Sequence, residues 1–175
     1  MIDTKIVQEF GETFITLFFL NREYRTDIVD AEGIDLMCYK EESGLCYGVS
    51  VKTRNVQKDK PNKSINLKWN DIVCAYKETK LRNDNATLCY AFVISKANKK
   101  ETEEIVVFIC TQEFIFQEKS IENIEEYKKR YPNKEVSGAT KSIAIDENAQ
   151  KRWIELYKNH KEGVIFAGTY SLDKG

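Results

Sequence analysis

Residues 33–54, with the sequence GIDLMCYKEESGLCYGVSVKTR, predict two neighbouring β-strands joined by a tight turn. Residues 41–44, Glu-Glu-Ser-Gly, supply the polar and conformationally tolerant positions that a hairpin needs. The first strand is apolar apart from Asp35. Burial of that strand would place a carboxylate where water is scarce, so the carboxylate needs a partner.

The second strand offers Lys52 as that partner. Period-two alternation places Val49 and Val51 on one face of the strand and Ser50 and Lys52 on the other. An acid on one strand and a lysine on its neighbour can hold a divalent metal and a water over a phosphate. The alternative interpretation is a buried Asp35–Lys52 ion pair that joins the two strands.

The motifs GIDL and, one hairpin later, VSVKTR resemble the core of the PD-(D/E)xK, or restriction-endonuclease-like, nuclease superfamily. They are most similar to its Holliday-junction-resolvase-like and Mrr-like members, whose strands read G-x-D-L and then (E/Q)-V-K-T-(R). The resemblance covers roughly residues 1–95. Ser50 stands where the family has its second acidic residue.

The resemblance implies an α/β fold with a restriction-endonuclease-like αβββαβ core, in which helices flank a central mixed sheet, and with C-terminal β/α additions. Residues 1–175 would form a single nuclease-like domain, with the core at about 1–112 and a C-terminal extension at about 113–175. A chain of 175 residues is long enough to bury a sizeable core.

The resemblance also implies a catalytic site that binds Mg²⁺ or Mn²⁺. Asp35 would be the principal ligand, the Val51 carbonyl a second ligand, and Glu12 a ligand directly or through water. Lys52 would orient or activate the attacking water. The glutamate comes from the first helix of the family, where Gly-Glu stands about three turns before the first strand; this favours Glu12, and Glu9 is the other candidate.

Ser50 leaves three outcomes open, because a neutral hydroxyl removes one unit of the negative charge that balances a metal ion. The site would bind its metal more weakly, a nearby acid such as Glu9, Glu41 or Glu42 would substitute, or the fold would serve for binding only.

The periodicity of the rest of the chain predicts further helices and strands. Helices are expected at about residues 4–20, from residue 69 past 76, at 113–131 and at 148–159, and strands at 24–30, 87–95, 104–111, 141–146 and 163–170. Residues 57–66 are predicted to be a polar loop, with Asn66 as the N-cap of the next helix.

A local basic segment is the candidate nucleic-acid contact, because the net charge of the chain is only −1. Cations there can meet phosphates and release counterions, and a solvated lysine-rich loop is the alternative. We expect DNA as the partner, contacted by Arg54, Lys58, Lys60, Lys63 and Lys68.

The remaining composition predicts a cytoplasmic protein. No apolar run approaches the roughly 18 residues of a membrane span, so we expect no membrane partner. The 5 cysteines lie within strand or helix patterns beside 1 histidine, which favours buried free thiols over disulfides or zinc. The resemblance also allows a homodimer, since many members pair so that two sites address two strands.

The leading hypothesis is therefore a metal-dependent nuclease that hydrolyses phosphodiester bonds in DNA during repair, recombination or defence. The second hypothesis is a catalytically inactive nuclease-fold module that binds nucleic acid or a protein partner. Fold alone does not choose between them.

Overall fold

The computed structural model describes residues 4–57, 63–98, 101–130 and 140–171. The helices of these residues are α1 Thr4–Leu20, α2 Trp69–Arg82, α3 Gln112–Phe116, α4 Ile124–Arg130 and α5 Glu147–Lys158. The strands are β1 Arg25–Ala31, β2 Ile34–Lys40, β3 Leu45–Gln57, β4 Ser64–Lys68, β5 Thr87–Asn98, β6 Glu101–Thr111, β7 Thr140–Ala144 and β8 Val164–Ser171.

A six-stranded mixed sheet forms the centre of the fold, with the strand order β1-β2-β3-β5-β6-β8. The first three strands are antiparallel neighbours, as a hairpin meander requires. β5 pairs with β3 in parallel, and α2 lies in the connection between these two strands. The remaining pairs, β5–β6 and β6–β8, are antiparallel. The expected α/β class with a mixed sheet between helices is confirmed.

Both faces of the sheet are buried, by different elements. On one face, Ile15, Phe18 and Phe19 of α1 pack with Val49 and Val51 of β3. The other face is covered by α2, α5 and a separate two-stranded sheet of β4 and β7. Strands covered on both faces read as nearly continuous apolar runs, as residues 88–94 of β5 do.

Aromatic residues fill the face that α2 and α5 cover. Trp69, the first residue of α2, is only 5% exposed and packs against Phe116 and Tyr127. Trp153 of α5 stacks on Phe108 of β6 with ring centroids 4.6 Å apart. The amphipathic pattern around Trp69 favours core packing over base stacking, and the burial of its side chain agrees with that interpretation.

Two predictions of secondary structure are wrong. Residues 57–66 include the start of β4, so Asn66 lies within a strand, and Lys68 rather than Asn66 precedes α2. Residues 113–131 do not form one helix, because α3 ends where Gln117 adopts a left-handed conformation with φ 58°, and α4 begins only at Ile124. The other predicted helices and strands agree with the structure to within a few residues.

The C-terminal part of the chain is integrated into the two sheets. β8 pairs with β6 at the edge of the central sheet, and β7 pairs with β4. The helices of the described residues are all too short or too polar to cross a membrane. The cysteines of these residues are free, as expected, and Cys74 alone among them is not buried.

Candidate active site

Asp35 lies where the ladder between β2 and β3 stops. The two strands pair from Lys40↔Leu45 up to Leu36↔Val49, and Asp35 precedes the last of these pairs. The backbone N–H of Val51 donates to Asp35 Oδ2 at 2.6 Å. The carboxylate therefore takes the hydrogen bond that the next backbone pair would have made. We call this point, formed by Asp35 and Val51, the strand fork.

The Val51 carbonyl faces the same side of β3 as its N–H. Within a strand, one residue directs both backbone groups towards the same neighbour. Because the Val51 N–H binds Asp35, its carbonyl oxygen also faces the β2 side of β3. The side chain of Val51 packs under α1 and is buried. Only the backbone of Val51 is therefore available at the fork, which is what the predicted ligand role requires.

The pKa of Asp35 is raised above its ordinary value. Burial of the carboxylate is the largest cause, and repulsion from the Glu12 carboxylate also raises this pKa. The hydrogen bond from Val51 and the positive charge of Lys52 act in the opposite direction. Asp35 thus lies within electrostatic reach of both Glu12 and Lys52, the two residues that the sequence predicted as its companions.

Lys52 is half-buried. It makes no ion pair within 4.0 Å with any other residue that the structure describes, Asp35 included. The described residues therefore do not form the direct Asp35–Lys52 salt bridge of the alternative interpretation. The ammonium group lowers the pKa of the carboxylate without an ion pair within 4.0 Å.

Glu12 is held in place by the helix that carries it. Gln8, one turn earlier, donates from Nε2 to Glu12 Oε1 at 2.9 Å. Glu12 also lines a cleft of about 240 Å³, in which Leu36 next to Asp35 forms part of the wall. Glu9 lines the same cleft, but its side chain is 62% exposed and pairs with Lys5 at 3.9 Å. The structure therefore favours Glu12 over Glu9 as the companion of Asp35.

The distance between α1 and β3 is set by Gly11, the residue before Glu12. A Cβ atom at this position would overlap the Thr53 hydroxyl and lie 3.0 Å from Thr53 Cβ. Only glycine lets the helix approach so closely. The contact between Gly11 and Thr53 fixes where Glu12 stands along β3. The sequence carries no sign of this contact, because the two residues lie far apart in the chain.

Ser50 is buried, with 1% of its surface exposed. Alternation along β3 places it, with Lys52, on the α2 side of the sheet, where its register partner on β5 is Tyr90. It contributes no charge at the fork. Among the described residues, the structure contains no group of three or more His, Cys, Asp or Glu side chains arranged to hold a metal.

The donors that are present fit a magnesium ion that retains several waters. Mg²⁺ in proteins is commonly held by one or two carboxylates, with water in the other positions. Asp35 and Glu12 supply two carboxylates that repel each other, and the Val51 carbonyl faces the β2 side of β3, on which Asp35 is bound. A cation would relieve the repulsion that contributes to the raised pKa of Asp35.

The predicted nucleic-acid residues are only partly described. Lys63 and Lys68 are exposed, and Arg54 is half-buried. The Arg54 Nε atom is buried and has no hydrogen-bond partner among the described residues. Lys58 and Lys60 lie outside the described residues.

Fold and site together define a mixed α/β protein in which Asp35 lies at a fork between two central strands, with Glu12 on the α1 side of the sheet and Lys52 on the α2 side. The sequence matches no model of a protein family, and no curated protein matches it significantly.

Proposed function

We propose that the chain is a metal-dependent nuclease that hydrolyses phosphodiester bonds in DNA, with its catalytic centre at the strand fork. The observation that supports this most strongly is the half-buried Asp35, which is anchored by the Val51 N–H and lies within electrostatic reach of both Glu12 and Lys52. Carboxylates that can hold a metal ion, together with a nearby positive charge, are groups that metal-assisted phosphodiester hydrolysis uses.

The order of the elements supports a restriction-endonuclease-like core. α1, β1, β2, β3, α2 and β5 follow one another with β4 inserted before α2, and β5 lies beside β3 in parallel. Without β4, this order would correspond to the αβββαβ core that the sequence resemblance implies. The strand fork falls between the second and third strands, where the motifs GIDL and VSVKTR place the site.

Each residue has a distinct role in the proposed mechanism. A bound Mg²⁺ would make a water nucleophilic near neutral pH and offset the charge of the transition state. Asp35 and the Val51 carbonyl would hold the ion, and Glu12 would hold it directly or through water. Lys52, which has no ion-pair partner among the described residues, would orient the attacking water and offset phosphate charge.

A second function is favoured by Ser50. Its neutral and buried side chain leaves the site one carboxylate short of the family pattern. A nuclease-fold module without catalytic activity, which binds nucleic acid or a protein partner, would need the scaffold but no tightly held metal. The two functions make opposite predictions for cleavage.

The test is cleavage of plasmid, branched and single-stranded DNA with Mg²⁺ or Mn²⁺. Asp35→Ala and Lys52→Ala are compared with Asp84→Ala and Lys77→Ala, which remove the same charges from exposed positions elsewhere. Thermal melts of all four variants verify folding. We expect cleavage by the wild type and by the two controls, and a loss of at least 100-fold, of the order seen when catalytic groups are removed, in the two site variants.

The outcomes separate the two functions. Cleavage that is lost equally in the control variants, or that persists in EDTA, would refute the proposed site. Absence of cleavage by the folded wild type, together with salt-sensitive binding to DNA, would identify the inactive module.

A further inference from the structure

We infer that the two-stranded sheet of β4 and β7, the ribbon Ser64–Lys68 with Thr140–Ala144, enters the major groove of duplex DNA. The inference rests on the proposed action on DNA, and it adds the form of the substrate and the element that recognises it. The supporting observations are the two faces of the ribbon, its charge and its dimensions.

The ribbon has one apolar face and one polar face. Ile65 and Leu67 are buried in the core on the α2 side of the central sheet, and Ile143 packs against the same core. Asn66, Lys68 and Ser142 are exposed. The packed face holds the ribbon rigidly on the protein, while the polar face is directed to solvent and has no covering element among the described residues.

The two strands of the ribbon contain no acidic residue. The ribbon, residues 52–57 of β3 and Lys63 contain no Asp or Glu, although the chain has 28 acidic residues in total. Lys63 and Lys68 are exposed at opposite ends of β4. Exposed acids follow β7 at Asp146 and Glu147, so it is the cations of the ribbon itself that can attract a polyanion.

The dimensions of the ribbon match the major groove. This groove is about 12 Å wide and accepts a two-stranded ribbon. At about 3.3 Å per residue, the backbone positions of Lys63 and Lys68 are roughly 16 Å apart, somewhat more than the width of the groove. Lys68 shares the exposed face of Asn66, whereas Lys63 lies at the exposed end of the ribbon and alternates onto the face of Ile65. Asn66 and Ser142 are cross-strand partners at the centre of the ribbon. Their side chains are the types that bond to base edges, with asparagine suited to adenine.

The ribbon lies on the same side of the central sheet as Lys52. Val56 of β3 packs in the core that contains Ile65 and Leu67. Alternation along β3 places Lys52, Arg54 and Val56 on one face. A duplex held by the ribbon would therefore lie on the same side of the central sheet as Lys52, with the ribbon between the duplex and the sheet.

The geometry selects B-form DNA over duplex RNA. The major groove of an A-form RNA helix is deep and too narrow for side chains to read its bases. The ribbon should therefore bind duplex DNA in preference to duplex RNA of the same sequence.

Fluorescence anisotropy in EDTA tests the inference without cleavage, with labelled duplex DNA and duplex RNA at several salt concentrations. The variant Lys63→Glu/Lys68→Glu is compared with Lys77→Glu/Lys158→Glu, which makes the same change of charge at exposed positions on α2 and α5. Neither Lys63 nor Lys68 forms an ion pair with another described residue, and the Lys68 side chain does not cap α2. Thermal melts verify that all variants remain folded.

We expect the ribbon variant to bind duplex DNA at least tenfold more weakly. The slope of log K against log salt should fall by about 2, one unit for each phosphate that the variant no longer neutralises. The control variant should lose much less affinity. Asn66→Ala should bind a random duplex like the wild type, but in selection from a sequence pool its preference at the contacted base should fall by on the order of tenfold.

Several results would overturn the inference: no binding of duplex DNA by the wild type, equal affinity for duplex RNA, or equal losses in ribbon and control variants. Its failure is distinct from failure of the proposed function. If the ribbon variants bind and cut DNA like the wild type, while Asp35→Ala does not cut, the nuclease proposal stands and the proposed role of the ribbon is refuted. If the wild type binds duplex DNA without ever cutting it, and the ribbon variants lose that binding, the ribbon inference stands and the nuclease proposal is refuted.

Discussion

Replacement of Gly11 by alanine tests how the structure positions Glu12. The new methyl group would overlap the Thr53 hydroxyl and lie 3.0 Å from Thr53 Cβ, so the Thr53 side chain must rotate or α1 must move away from β3. Overpacking of this kind costs about 1–3 kcal/mol. Alanine in a helix gains about 0.5–1 kcal/mol over glycine. The midpoints of these two ranges give an expected net loss of about 1 kcal/mol in the free energy of unfolding.

The double variant Gly11→Ala/Thr53→Ala separates this contact from a general effect on the helix. The Thr53 hydroxyl is buried without a hydrogen-bond partner among the described residues, so its removal sacrifices no such bond. With the hydroxyl and the γ-methyl gone, most of the overlap disappears and the gain in helix propensity remains. We expect the double variant to recover most of the stability that Gly11→Ala loses, with a coupling energy of about 1–3 kcal/mol.

Urea denaturation measures these differences, because a loss of 2 kcal/mol shifts the midpoint by about 1 M when the slope is about 2 kcal/mol per M. Thr13→Ala, at an exposed position on the same helix, is the control for propensity alone. Cleavage assays on the same variants should show lower activity in Gly11→Ala, because α1 carries Glu12 away from Asp35. A Gly11→Ala protein as stable as the wild type, or strictly additive effects in the double variant, would refute the proposed role of this contact.

Three further predictions concern the fork and the core. Asp35→Asn should be more stable than the wild type at pH 7 in EDTA. Because the pKa of Asp35 is raised in the folded protein, the folded state binds this proton more tightly than the unfolded state does. The stability of the wild type therefore falls as pH rises above the ordinary aspartate range. Thermal melts from pH 3 to pH 8 should therefore show a flatter profile for the variant, and parallel profiles would contradict this. Ser50→Glu should destabilise the protein in EDTA, because it buries a carboxylate at a position that is 1% exposed. Mn²⁺ at 100 times its dissociation constant should raise the free energy of unfolding of this variant by about 2–3 kcal/mol. No response to Mn²⁺ would argue against a metal near this position. Trp153→Ala should cost about 3–5 kcal/mol by loss of the stack on Phe108, and a loss below 1 kcal/mol in urea denaturation would show that α5 contributes little to the core.

The sequence predicts the central meander well, because its signals are local. The turn at residues 41–44, the alternation of Val49 and Val51, and the apolar runs of β5 and β6 each decide their own element. β4 is missed because only Ile65 and Leu67 alternate within its five residues and its partner β7 lies more than 70 positions away. A strand this short depends on its partner, which local patterns do not show.

Local sequence patterns likewise predict some residues of the candidate site and miss its tertiary contacts. Asp35 and Lys52 can be paired from strand spacing, and the structure brings them within electrostatic reach of each other and of Glu12. Gln8 could have been found from its spacing of four residues before Glu12 on one helix face. The anchoring of Asp35 by the Val51 N–H depends on the point at which two strands separate, and no sequence pattern marks that point.

The position of β8 has a consequence for how the protein is made. β6 carries Ile105, Val107 and Ile109, and in the part of the chain that the structure describes its outer edge pairs with residues 164–171, more than 50 positions later. Until those residues leave the ribosome, a nascent chain displays a long apolar strand with unpaired backbone groups, the kind of edge that recruits other chains. Synthesis at low temperature or with abundant chaperones should therefore raise the soluble yield, and truncation before residue 164 should favour aggregates.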